Sequence, residues 1–179
     1  SLVLPCHNEA GTIEHVVLDA HRQLARLGGP FEIIVVDDGS EDTSIARLEA
    51  LGLDSLRIVR HGHNQGYGAA LRSGFRAARM PWVFYTDGDG QFELDQLAAF
   101  LAHARPGIVL AGYRSPRADH SLVRTLFGRS WTSLANVTLG LGIRDVNCAF
   151  KLFPSSLLRQ VPMESSGAAI DAEILYAAR

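Results

Sequence analysis

The chain has 179 residues, 47% of them hydrophobic and 20% charged, with a formal net charge of −2. That length supports one sizeable core, and that balance excludes a disordered chain and a globally basic nucleic-acid binder. Two cysteines, Cys6 and Cys148, are too few for a disulfide scaffold and read as small, reduced, buried residues of a cytosolic protein.

In chain order, residues 2–4 read as a short apolar strand, and Pro5-Cys6-His7-Asn8-Glu9 as the loop leaving it. Ile13, Val16, Val17, Ala20, Leu24 and Leu27 mark an amphipathic helix, stopped by Gly28-Gly29-Pro30. A second buried strand, 31–36, ends in Asp37-Asp38-Gly39-Ser40. A short helix on Ile45, Leu48 and Leu51 follows, then a third strand at 56–59. Residues 61–68 form a polar, glycine-rich loop that opens a helix through Ala70, Leu71, Gly74, Phe75 and Ala78. The fourth strand, 82–85, runs into Thr86-Asp87-Gly88-Asp89-Gly90-Gln91, and Leu94, Leu97, Ala98 and Leu101 then recur at helical spacing. A fifth strand at 108–111 is expected beside the fourth. The alternation predicts an α/β fold, a mostly parallel sheet with helices on both faces.

After Gly112 the pattern changes. Residues 113–120 form an arginine-bearing loop, and Val123, Phe127, Trp131, Leu134 and Val137 line one face of a longer helix. Residues 145–153 look extended and partly buried, and Gly167 opens a helical pattern carrying Asp171 and Glu173. Lys151 is the only lysine, and six arginines lie between 105 and 144 against a single acid, Asp119. No secretory signal and no membrane-length apolar run is visible. The chain opens on strand-like residues and stops inside a helical pattern, which reads as one domain over 1–179 cut from a longer protein.

The acidic turn is the chemical centre. Asp87 and Asp89 sit one residue apart where the chain leaves a strand end, and Gly88 and Gly90 let them converge on one point. Two converging carboxylates repel unless a cation lies between them, and such oxygen ligands suit Mg²⁺ or Mn²⁺. A plain Asp/Gly chain reversal is the alternative for this turn taken alone. A calcium EF-hand loop is excluded, because its glycine and glutamate positions hold Phe92 and Ala98. In a parallel alternation, Asn8/Glu9, Asp37/Asp38, the 61–68 loop and Asp87/Asp89 leave the same strand ends and line one edge. Asp37 and Asp38 suit a base N–H or a ribose hydroxyl, or else merely a capped turn. Gly66-Tyr67-Gly68 is not a dinucleotide fingerprint, since Leu71 replaces the third glycine and the strand before it is the third. His61 and His63 have a spacing a metal can use, but loop histidines are usually solvated.

PCHNEA (5–10), VVDDGSEDT (35–43), NQGYGAALRSGF (64–75), TDGDGQ (86–91) and DVNCAFKLF (145–153) together resemble the family 2 glycosyltransferases of the GT-A fold, in that family's order and spacing. Within it, the chain is most similar to the polyprenyl-phosphate and dolichyl-phosphate sugar transferases. The resemblance implies that Asp87, Asp89 and Gln91 hold the metal, Asp89 being catalytic through it. It implies nucleotide binding by Pro5, His7, Glu9, Asp37, Asp38 and Asp87, and grip on a lipid phosphate by Arg114, Arg117 and Arg124. Gly128 departs from the branch, which has a serine in its acceptor-phosphate site. The implied reaction is inverting transfer from a UDP- or GDP-linked sugar to a polyprenyl phosphate, at the cytoplasmic face of a membrane. A sugar-hydroxyl acceptor would instead demand a base, for which Asp171 and Glu173 are candidates by position, the alternative being a solvated helix face. A non-catalytic nucleotide-binding module and a phosphohydrolase using Asp87 as nucleophile are rival readings, the second weakened because its acidic strand is usually the first.

Overall fold

The computed structural model describes residues 1–114 and 122–179, without the side chains of 122–127 and 129. Among these residues the strands are β1 (Leu2–Cys6), β2 (Ile33–Asp37), β3 (Leu56–Arg60), β4 (Trp82–Thr86), β5 (Leu110–Ala111) and β6 (Phe150–Pro154). They form one sheet in the order β3-β2-β1-β4-β6-β5. The helices are α1 (Ile13–Arg26), α2 (Ser44–Ala50), α3 (Tyr67–Ala77), α4 (Leu97–Ala102) after a 3-10 turn Leu94–Gln96, α5 (Leu122–Leu139), α6 (Ser155–Leu158) and α7 (Ile170–Ala177).

Alternating strand residues feed two cores. Leu2, Leu4, Ile33, Val35, Phe84 and Leu152 pack under α1, α2 and α4. Val3, Ile34, Val36, Val83, Tyr85 and Phe153 pack under α3, α6 and α7. Both faces of the sheet are covered, which is why the central strands are apolar at nearly every position. The expected layers are therefore present.

The sheet edge differs from expectation. The fifth strand does not lie beside the fourth: β6 inserts between them, antiparallel to both. It pairs with β4 along five residues, from Thr86 opposite Phe150 to Trp82 opposite Pro154, whereas β5 is only two residues long. A buried apolar strand matching the full length of β4 satisfies more backbone groups there than the short one does.

At the opposite end of the sheet, Glu32 is 6% exposed. Its carboxylate accepts hydrogen bonds from the Ser1 hydroxyl, the Arg79 N–H and the Arg57 guanidinium, each at 2.7 Å. Burial pushes its pKa up, but those donors outweigh burial and hold the carboxyl below its ordinary 4.5. A depressed folded pKa gives stability that is present above the unfolded value and lost as pH falls through the folded one. Glu32→Gln is therefore expected to cost about 1–3 kcal/mol at neutral pH. The deficit should shrink in acid. Urea unfolding at pH 7 and pH 3 measures it; a deficit equal at both would assign the loss to packing.

Candidate active site where β1 and β4 diverge

β1 has β2 on one side and β4 on the other, and all three run parallel. This is the point where strand order reverses, the place where open α/β sheets bind ligands. The ladder from β1 to β4 stops at Val3 opposite Tyr85, before Pro5, which has no N–H to contribute. Beyond it opens a crevice of about 310 Å³, whose lining includes His7, Glu9, Asp38, Tyr67, Asp87 and Asp89. Acids from the ends of β1, β2 and β4 thus meet in one place.

The loops after β1 and β2 are tied to each other. Asn8 sits at φ 57 and its side-chain oxygen accepts the Glu41 N–H at 2.8 Å. The backbone N–H of Asn8, Glu9 and Ala10 donate to Ser40, Ser44 and Asp42. His7 Nδ1 is 2.9 Å from the Asp38 carbonyl, and Glu9 accepts from the Thr12 hydroxyl. Asp37 accepts the Ser40 N–H at 2.8 Å, which is turn geometry. Asp38 takes His61 Nδ1 at 2.6 Å and the N–H of Gln65 and Gly66 at 2.9 Å. Burial raises its pKa, yet the His61 bond and the two amides hold it below the ordinary range. His61 is therefore no solvated loop residue: its other nitrogen lies 2.8 Å from the Ser73 hydroxyl, so it clamps the 61–66 loop to α3.

The acidic turn is held by contact as well as by conformation. A side chain at Gly88 would come within 2.9 Å of Ile13 and 3.0 Å of the Pro5 carbonyl, so only glycine lets the turn close onto the first loop. Asp89 accepts the Gln91 N–H at 3.0 Å. Asp87 accepts the Tyr67 hydroxyl at 3.0 Å. Burial, with repulsion from Asp89 and Asp171, pushes Asp87 up to about 6 despite the Tyr67 bond and the positive Lys151. Excess negative charge in a half-buried turn is what a divalent cation relieves, so these side chains fit Mg²⁺ or Mn²⁺. No group of three His, Cys, Asp or Glu side chains forms a closed metal cage among the described residues. An open pair suits an ion that keeps water and takes phosphate oxygens from a substrate.

Asp171 is not on a solvated helix face. It is 3% exposed and pairs with Lys151 Nζ at 2.8 Å, while the Tyr85 hydroxyl donates to the same oxygen. Lys151 is fully buried and uses its other donors on Tyr85 Oη at 2.9 Å and the Cys148 carbonyl at 2.6 Å. Glu173 accepts the Glu164 N–H at 2.5 Å and the Ser165 N–H at 2.9 Å, tying down the loop before α7. Lys151, Tyr85 and Tyr67 did not emerge from motif reading. The signal for them was a lone lysine inside an apolar strand, because a buried cation requires a partner.

On the far side of the turn, a cavity of about 410 Å³ is lined in part by Gln91, Phe92, Phe100, Tyr113, Arg114 and Phe150. Arg114 holds Asp145 in a two-point fork, Nε to Oδ2 at 2.8 Å and an amino nitrogen to Oδ1 at 3.0 Å. Arg117 and the Arg124 side chain lie outside the described residues. Among the described side chains of α5 the buried ones are Thr132 and Ala135, with Ala135, Val146, Ala172 and Leu175 forming a small core. Trp131 is half-buried, its indole N–H on Asn147, whereas Leu134 is 55% and Val137 82% exposed. Of the expected apolar stripe of α5, Leu134 and Val137 are thus turned outward, while the side chains of Val123 and Phe127 lie outside the described residues.

A doubly covered sheet whose strand-order reversal gathers acids around a glycine-flanked Asp-x-Asp turn defines a GT-A type α/β fold. The chain belongs to glycosyl transferase family 2, whose family model matches residues 1–161. It is similar to the dolichyl-phosphate beta-glucosyltransferase of Saccharomyces cerevisiae, 27% identical over 207 residues covering 99% of this chain and 62% of that protein. The dodecaprenyl-phosphate galacturonate synthase of Rhizobium johnstonii is 29% identical over 171 residues, 91% of this chain and 50% of that relative. The chain therefore spans 50–62% of these relatives' lengths. The crystal structure of Mycobacterium tuberculosis glucosyl-3-phosphoglycerate synthase with Mn²⁺, uridine-diphosphate-glucose and phosphoglyceric acid has a TM-score of 0.72 at 22% identity, over 97% of this chain and 62% of that one. This last likeness is one of fold.

Proposed function

We propose that the protein transfers a sugar from a UDP- or GDP-linked sugar to a polyprenyl phosphate, with inversion at the anomeric carbon. The observation that carries this reading is the state of the two acids placed to act as a base. Asp171 is buried in an ion pair and Glu173 is held by two backbone N–H groups. A hydroxyl acceptor needs a base to take its proton, whereas a phosphate arrives with an anionic oxygen. The names of the relatives, which specify dolichyl and dodecaprenyl phosphate, support the same acceptor class.

In this reading the acceptor oxygen attacks the anomeric carbon, and the bond to the diphosphate breaks with its electron pair leaving on the diphosphate. Asp87, Asp89 and Gln91 would hold Mg²⁺ or Mn²⁺, which when bound neutralises the charge developing on that leaving group. Pro5, His7, Glu9, Asp37 and Asp38 form the nucleoside end. Asp38 already accepts three protein hydrogen bonds, so Asp37, with one, is the better acceptor for a base or ribose group. Arg114, Arg117 and Arg124 are assigned to the acceptor phosphate. No helix among the described residues is long and apolar enough to cross a membrane. The outward Leu134 and Val137, on the helix that carries Arg124, support contact with the cytoplasmic surface of one.

The test offers UDP- and GDP-linked hexoses, with Mn²⁺, to polyprenyl phosphate, to the corresponding polyprenol and to a soluble oligosaccharide. Transfer to the phosphate is expected. Arg117→Ala and Arg124→Ala should lower kcat/KM for that acceptor by about a hundredfold through misplacement, while nucleotide titration in Mn²⁺ stays near that of the unaltered protein. Faster glycosylation of the soluble sugar would overturn the acceptor class.

A further inference from the structure

The metal-turn acid Asp87 is held by a side chain that no motif assigns. Tyr67 opens α3, and its hydroxyl donates to Asp87 Oδ1 at 3.0 Å. The first turn of α3 is anchored: the Gly68 N–H donates to the Ser166 carbonyl at 2.7 Å. Any side chain at Gly68 would come within 2.4 Å of the Ser165 carbonyl, so the helix end lies flat on that loop. The Tyr67 ring therefore starts from a fixed backbone.

Behind it lies the buried cluster. Tyr67 packs against the core cluster that holds Tyr85, whose own proton goes to Asp171. Lys151 donates to Tyr85 Oη, the Cys148 carbonyl and Asp171 Oδ1, which occupies its three donors. Tyr85 is thus oriented toward Asp171 and does not compete for Asp87. The Tyr67 proton goes to Asp87 Oδ1, and among the described residues no hydrogen bond to Oδ2 is seen. Lys151 also supplies the positive charge that offsets the crowding of Asp87, Asp89 and Asp171.

We propose that Tyr67, backed by the Tyr85–Lys151–Asp171 cluster, is a positioning residue that presents Asp87 to the divalent ion and sets the ion's affinity. The inference rests on the reading of Asp87 and Asp89 as metal ligands. Partners that orient a ligand from behind typically contribute 10–100-fold in metal affinity.

The experiment is calorimetric titration of Mn²⁺ into the intact protein with UDP or GDP present, beside nucleotide titration without metal and thermal melting. Tyr67→Phe removes one oxygen and keeps the ring. It is expected to weaken Mn²⁺ binding by at least about tenfold, with metal-free nucleotide affinity unchanged and the metal-free melting temperature lowered by only about a few degrees, the cost of one lost hydrogen bond. The paired variant Lys151→Met/Asp171→Leu removes both charges together, and it should also weaken Mn²⁺. Unaltered Mn²⁺ affinity in Tyr67→Phe overturns the inference, as does a loss shared equally by metal, metal-free nucleotide and melting temperature. Absence of Mn²⁺ binding by the unaltered protein overturns the metal reading itself, a different result from equal binding by protein and variant.

Discussion

Asp89→Asn is expected to abolish transfer, lowering kcat/KM by about a thousandfold or more, and to remove the Mn²⁺ dependence of nucleotide binding. The substitution deletes one charge from an acid pair while keeping a side-chain oxygen. Within the protein Asp89 accepts the Gln91 N–H, a bond that an asparagine oxygen also makes. The turn geometry, fixed by Gly88 against Ile13 and Pro5, is independent of that charge. The variant should therefore fold and melt like the unaltered protein, and fail only when metal and diphosphate must be held together. Nucleotide titrations with and without Mn²⁺, beside a melting curve, check this. Equal affinity in Mn²⁺ would return the turn to a simple chain reversal.

Lys151→Met is expected to have the largest effect on stability, about 3–5 kcal/mol, the usual cost of leaving a buried charge without its partner. Domains of this kind are typically stable by only about 5–15 kcal/mol, so the single variant should be close to unfolding at body temperature. The orphaned group is Asp171, 3% exposed, and the Cys148 carbonyl loses its donor as well. Adding Asp171→Leu removes the unpaired charge and should recover most of the loss, since buried ion pairs are often no better than apolar replacements. Urea unfolding of the two single variants and the double variant gives the coupling. A Lys151→Met cost below about 1 kcal/mol would mean that water reaches the pair.

These two predictions differ in how far they were readable from residue order. Asp89 stood in a visible pattern: a β-rich run, two acids, two glycines and a helical period, all within residues 82–101. The same holds for the loops after β1 and β2, because a parallel alternation sends every such loop to one edge. Lys151 was visible as an anomaly, but its partners were not. Tyr85 lies 66 residues away and Asp171 lies 20 away; the pairing of β6 with β4 sets Tyr85 opposite Lys151, and the packing of α7 on that face of the sheet adds Asp171.

By itself, the sequence determined the α/β alternation, the common edge of acidic loops and the composition of the Asp-Gly-Asp-Gly turn, since each rests on local period and turn chemistry. The tertiary structure decided the rest. It set β6 between β4 and β5, buried Asp171 against Lys151, engaged both nitrogens of His61 and turned Leu134 and Val137 outward. Those outcomes depend on which distant surfaces exclude water from one another. A local pattern reports how a segment repeats, and carries no record of what will pack against it.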